Sequence, residues 1–327
     1  MKWYDNLCGP YEISFDITNK CNLRCLHCYN SSGSNGIIEN ELSDKEIETL
    51  IYDVIKLKPY NFCFTGGEPI HRKKILIDSI KKLSNNAIKS SMVTNGLLLT
   101  EDLINELKES GLDQIQISLD GDSLAHDTLR NRQGAYDIVI DSISKIREKR
   151  IPCHIGFVPT KESIKDFEHV VNVGIRFGVE SIRTQFFMPT GRGNINKRLV
   201  PSHSEYRELI KKIIHMRKLI ESKNIKLKIV WDDPIEHFYD VCEKKPIYPQ
   251  VHIKANGNVS PTPYLPISFG NIKRNSFSEL MLVKGILKKI HDNKFIDLCR
   301  DMVCINDLKL GNYELPENFY DEDLMII

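Results

Sequence analysis

Three cysteines fall within eight residues, Cys21-Asn-Leu-Arg-Cys25-Leu-His-Cys28. Thiolates that close repel one another unless a metal takes up their charge, so the spacing predicts metal ligation. A structural zinc site needs a fourth ligand, and His27, between two of the cysteines, is badly placed to reach the same ion tetrahedrally. A ferredoxin cluster asks for C-x2-C-x2-C and a fourth cysteine. Here the spacing is C-x3-C-x2-C, with no other cysteine nearby. Three thiolates can hold three irons of a [4Fe–4S] cube and leave its last iron open to another ligand.

Four further tracts carry polar or glycine-rich chemistry: Thr65-Gly66-Gly67-Glu68-Pro69, Thr94-Asn95-Gly96, Ser118-Leu119-Asp120-Gly121 and Pro189-Thr-Gly191-Arg192-Gly193. Paired glycines let a ligand approach the backbone closely, and Glu68 can accept from an ammonium or hydroxyl. Each tract alone also reads as a turn. Asp120 and His126 serve either the site or merely the shape of a loop, and Arg192 is either a site residue or a surface charge.

These residues need elements to position them. Apolar, β-rich runs cover Glu12–Ile17, Asn61–Thr65, Lys89–Thr94, Gln114–Leu119, Cys153–Val158 and Ser181–Met188. Between them, amphipathic stretches of helical spacing cover Ser43–Leu57, Lys73–Leu83, Glu101–Ser110, Asp137–Arg150, Ile164–Phe177 and Ser204–Ser222. Ser43-Asp-Lys-Glu46 is a capping box, Glu101 and Asp102 put acids at a helix start, and Gly111 is a helix stop. Strand–helix units in series imply a parallel sheet with right-handed crossovers. They end by Ser222, short of the roughly 250 residues of a full eight-fold barrel, so the expected fold is an α/β partial (β/α)6 TIM barrel. The polar tracts follow its strands, where ligands bind in such folds. After residue 222 the rhythm changes: a short strand at Lys226–Trp231, a hairpin across Val251–Pro261 turning at Asn256-Gly257, and a helix at Ser276–Ile290. This predicts two domains, 1–222 and a small α+β extension at 223–327.

The chain has 327 residues, 41% hydrophobic and 27% charged, which excludes intrinsic disorder. With 45 Lys+Arg against 44 Asp+Glu, nothing points to nucleic acid or an anionic membrane. No apolar run reaches the roughly 18 residues of a membrane span, and the start lacks a signal peptide's apolar core, so a cytoplasmic protein is expected. The nine cysteines are an odd number and a poor disulfide framework. Cys63 and Cys153 read as small core residues; Cys8 has no assigned role.

Cys21-x3-Cys25-x-His27-Cys28 and Gly66-Gly67-Glu68-Pro69, extended by Asn95-Gly96, Ser118-Leu119-Asp120-Gly121, His126-Asp127 and Arg130, resemble the radical S-adenosylmethionine (radical SAM) superfamily over roughly residues 10–200. The resemblance implies a [4Fe–4S] cluster on Cys21, Cys25 and Cys28 with SAM on the open iron. Reductive cleavage of SAM to a 5′-deoxyadenosyl radical and hydrogen abstraction from a substrate would follow. It also implies a reducing partner such as flavodoxin or ferredoxin. By the same resemblance Gly66, Gly67 and Glu68 bind the SAM ammonium. Asn95 and Ser118 lie near the ribose or carboxylate, and Arg130 or Arg132 near the carboxylate. The backbone around Phe187 and Met188 flanks the adenine, and His27 packs the cluster loop.

The C-terminal part resembles, less closely, the SPASM/twitch extensions of radical SAM maturases. Cys242, Gly257 and Thr262 stand where the family pattern C-x9–15-G-x4-C has Cys, Gly and Cys. Cys242, Cys299 and Cys304 therefore hold an auxiliary iron–sulfur cluster with a non-cysteine or vacant fourth position, or they are buried free thiols in a degenerate remnant. Three functions follow in order. The first is radical SAM modification of a peptide, with any leader recognised by a separate protein, since twenty residues precede Cys21. The second is the same chemistry on a small molecule such as a tetrapyrrole. The third is a non-catalytic iron–sulfur electron-transfer protein, against which the Gly66-Gly67-Glu68-Pro69 tract argues.

Overall fold

A computed structural model describes residues 9–33, 40–232, 250–264, 267–282 and 324–325. It has an α/β fold with mostly parallel strands, and the chain divides into two compact units. One comprises 1–21, 30–91 and 235–327; the other comprises 22–29 and 92–234.

In the first unit β1 (Glu12–Thr18) pairs in parallel with β2 (Asn61–Gly66) on one side and with β8 (Gln250–Ile253) on the other. The hairpin expected at Asn256-Gly257 is present: β9 (Asn258–Ser260) returns antiparallel to β8, with Gly257 at φ +90°. The β1–β2 register slips between Asp16 and Thr18, which brings Thr18 opposite Gly66. Ile13, Phe15 and Ile17 form the apolar face of β1, joined by Phe62 and Phe64. The opposite face, Ser14, Asp16 and Thr18, is polar, as period-2 alternation requires. Helix α1 (Asp44–Leu57) begins at the capping box: Ser43 Oγ accepts from Glu46 N, and Glu46 Oε2 accepts from Ser43 N. Helix α2 (Lys73–Asn85) follows β2.

In the second unit β4 (Gln114–Ser118), β5 (Cys153–Phe157), β6 (Ser181–Gln185) and β7 (Lys228–Asp232) are all parallel. Helices α3 (Glu101–Glu109), α5 (Ala135–Glu148), α6 (Phe167–Phe177) and α8 (His203–Ser222) alternate with them. Strand β3 (Lys89–Thr94) carries the chain from one unit to the other. Two helices were not anticipated: α4 (Ser123–Arg130), capped by Asp122 Oδ1 on Ala125 N at 2.9 Å, and the single turn α7 (Arg192–Ile195). Compact units do not follow chain order, because residues beyond 222 supply β7 to one unit and β8 and β9 to the other.

Cys153 is fully buried, as expected. Cys63 differs: it is only half-buried, because it alternates with Phe62 and Phe64 and so lies on the polar face of β2. Of the helix expected over Ser276–Ile290, Phe277–Leu282 is helical, and the expectation for 283–290 lies outside the described residues. Cys8, Cys242, Cys299 and Cys304 lie outside the described residues.

Candidate active site

In the second unit the cysteine loop is held from several sides. Leu26 N donates to Leu129 O at 2.8 Å, tying the loop to the end of α4. Arg192 is no surface charge: its Nε donates to Cys25 O (2.8 Å) and its backbone N to Cys28 O (3.0 Å). Asn196 Nδ2 donates to Leu26 O at 3.1 Å. A Cβ on Gly191 would collide with the Tyr29 carbonyl, and this glycine has φ +53°, so only glycine brings Arg192 that close. Below the loop Leu26 packs on a cluster of Leu129, Phe187 and Leu199.

Around Cys25 lies a buried charge network. Asp120, with no exposed surface, meets Arg130 Nη2 at 2.6 Å and His27 Nε2 at 3.4 Å, and accepts from Val158 N at 3.0 Å. Arg130 Nη1 donates to Cys25 Sγ at 3.7 Å. Asp120 N donates to His126 Nδ1 at 3.1 Å. Asp120 thus joins Arg130 and His27, and His126 holds the backbone of the same turn. Burial raises the Asp120 carboxyl, but Arg130, helped by His27 and His126, outweighs it and holds the group below its ordinary value. Burial pushes the Cys25 thiol up, against the pull of Arg130. His27 and His126 are both driven down to about 4, chiefly by burial, and are neutral near pH 7.

Asn95 follows β3, donating from Nδ2 to Asn22 Oδ1 (2.8 Å) and accepting at Oδ1 from Leu97 N (3.0 Å). Ser118 ends β4, half-buried. Met188 is buried after β6, and Phe187 N donates to Tyr206 Oη at 3.0 Å.

In the first unit Gly66 and Gly67 are packed against backbone: a Cβ on either would strike the carbonyl of Thr18 or of Lys20. Gly67 N donates to Thr18 O and Glu68 N to Lys20 O, both at 2.8 Å. Glu68 is fully buried, and its Oε1 accepts from Ile70 N at 3.4 Å. One group of residues escaped sequence reasoning. Asp16 accepts from Thr65 Oγ1 (3.0 Å) and Asn30 Nδ2 (3.4 Å) and lies 3.0 Å from His252 Nε2, with Asp16, Asn30 and His252 buried and Thr65 half-buried. The available signal was the polar alternation of β1 and β8.

Among the described residues no three His, Cys, Asp or Glu side chains are gathered as a metal site. Fit to an iron–sulfur cluster rests instead on donor chemistry. Cys21, Cys25 and Cys28 are in no disulfide, and the buried one faces a guanidinium that donates to its sulfur, as a thiolate ligand favours. No described helix is long and apolar enough to cross a membrane.

The sequence model of the radical SAM superfamily matches residues 15–173. A probable GTP 3′,8-cyclase of Saccharolobus solfataricus is 31% identical over 225 residues, 67% of this chain and 70% of that protein. The chain belongs to the radical SAM superfamily, which implies a [4Fe–4S] cluster and SAM. It is also similar to the AdoMet-dependent heme synthase of Methanosarcina barkeri, 25% identical over 309 residues, 87% of this chain and 85% of that one. The sporulation killing factor maturation protein SkfB of Bacillus subtilis is 25% identical over 311 residues, 94% of this chain and 72% of that one. The crystal structure of Streptococcus suis SuiB bound to S-adenosylmethionine shares the fold, with a TM-score of 0.71 at 16% identity over 94% of this chain and 73% of that one.

Proposed function

We propose that this radical SAM enzyme takes a hydrogen atom from a peptide. The observation that carries the reading is the likeness to a maturation protein across 94% of the chain, the C-terminal segment included. A bound cluster and SAM supply a 5′-deoxyadenosyl radical. The residues of this chain hold and shield that chemistry. Cys21, Cys25 and Cys28 ligate the cluster, and Arg192, Asn196 and Leu129 fix the loop that presents them. Gly66, Gly67 and Glu68 take the SAM ammonium, Asn95 and Ser118 the ribose or carboxylate, and the backbone at Met188 the adenine. Residues 1–222 carry the radical step, and 223–327 form the SPASM/twitch-like extension. A second reading, hydrogen abstraction from a tetrapyrrole, is supported by the likeness to a heme synthase over 87% of the chain.

The test uses anaerobically reconstituted protein, dithionite and SAM. It offers either a deuterated peptide, chosen from any short reading frame beside the gene, or a deuterated iron porphyrin. Deuterium in 5′-deoxyadenosine from the peptide alone supports the first reading, and from the porphyrin alone the second. No 5′-deoxyadenosine at all would sink both. Cys25→Ala abolishes cleavage while Cys304→Ala leaves it. Iron at about four atoms per chain, against about eight, decides whether Cys242, Cys299 and Cys304 hold an auxiliary cluster.

A further inference from the structure

We propose that Arg130, oriented by Asp120, is a positioning residue that sets the reduction potential of the cluster through the sulfur of Cys25. This rests on the radical SAM reading above. The family resemblance sends Arg130 or Arg132 to the SAM carboxylate, whereas the Arg130 guanidinium is already engaged through both terminal nitrogens. Nη2 meets Asp120 Oδ2 at 2.6 Å and Nη1 points at Cys25 Sγ at 3.7 Å. Asp120 in turn is fixed by Val158 N and by the His27 ring, so the guanidinium has little freedom to turn elsewhere.

The physical consequence follows from charge. Reduction adds an electron to the cluster, and a donor N–H on a ligating sulfur stabilises the more negative state. In a buried setting this bond is worth more than in water. Asp120 offsets most of the positive charge of Arg130, so the sulfur receives an oriented donor and little net field. The loop does not depend on this contact for its shape, because Leu129 O, Arg192 and Asn196 hold its backbone separately. Removing the donor and removing the counter-charge should thus shift the potential in opposite directions.

The experiment measures the cluster midpoint potential by EPR on reconstituted full-length protein, with SAM absent and then present. The variants are Arg130→Met, Arg130→Lys and Asp120→Asn, each first matched to wild type in iron per chain. Arg130→Met loses a charge-assisted hydrogen bond; the expected effect without SAM is a reduced fraction about tenfold lower at fixed potential, or roughly 59 mV for one electron. Asp120→Asn shifts it the other way, because it leaves the guanidinium uncompensated. Arg130→Lys keeps the charge, guards against a folding failure of Arg130→Met, and gives a smaller drop of the same sign. Shifts of one sign in all three variants, or no shift until SAM is added, overturn the proposal. The latter is what a guanidinium acting on the SAM carboxylate would give. Wild-type protein that takes up no cluster would overturn the underlying reading instead.

Discussion

His126 is buried beside Asp120 and Arg130, and its Nδ1 accepts the Asp120 backbone N–H. Protonation would break that bond and place a second cation beside Arg130. Burial first, and Arg130 next, lower its pKa from 6.5 to about 4 in the folded protein. Between those values the unfolded chain binds more protons, so stability is complete above about pH 6.5 and declines as the pH falls to about 4. This one ring contributes a slope of up to about 1.4 kcal/mol per pH unit. In His126→Asn, an amide oxygen accepts the same bond without titrating, so urea unfolding at pH 7, 6 and 5 should show a shallower decline than wild type. Cys153 makes the complementary case. Burial, reinforced by Glu180, pushes its thiol up to about 12. Iodoacetamide should leave it unlabelled in the native protein at pH 8 and label it once urea unfolds the chain, read by peptide mass spectrometry.

The elements that carry the site are punctuated by side chains whose loss should register as stability. Ser43→Ala removes one half of the capping box that starts α1 and should cost about 1 kcal/mol, read as a lower urea midpoint with unchanged slope. Gly67→Ala should cost more, about 2 kcal/mol or above. The added carbon meets the Lys20 carbonyl, and a backbone group held by the Glu68 N–H has no soft end to yield. A thermal midpoint several degrees lower checks this. All six expected strands, and the helices between them, were legible because apolar periodicity and caps act over a few residues. Helix α4 was not. Its eight residues bury only Ala125, His126, Leu129 and Arg130, and two of those four are polar, so the periodic signal dissolves into what reads as a loop.

At the scale of the molecule, a cluster bound only by the folded chain should stabilise it by mass action. The thermal midpoint should rise on reconstitution and fall when iron is stripped, by the same amount in wild type and Cys153→Ser and by less in Cys25→Ala. The sequence alone determined the close spacing of Cys21, Cys25 and Cys28, the strand–helix alternation and the glycine tract after β2, since each is a matter of residue type at short spacing. Tertiary structure alone decided the rest. Asp120 and Arg130 are ten positions apart in the chain, and Arg192 lies far beyond Cys25, yet all three converge on the cysteine loop. His252 reaches Asp16 across 236 positions because β8 pairs with β1. A charged side chain looks the same in sequence whether solvent or another buried charge surrounds it. Only the folded chain fixes its partner, and with the partner its ionisation and its role.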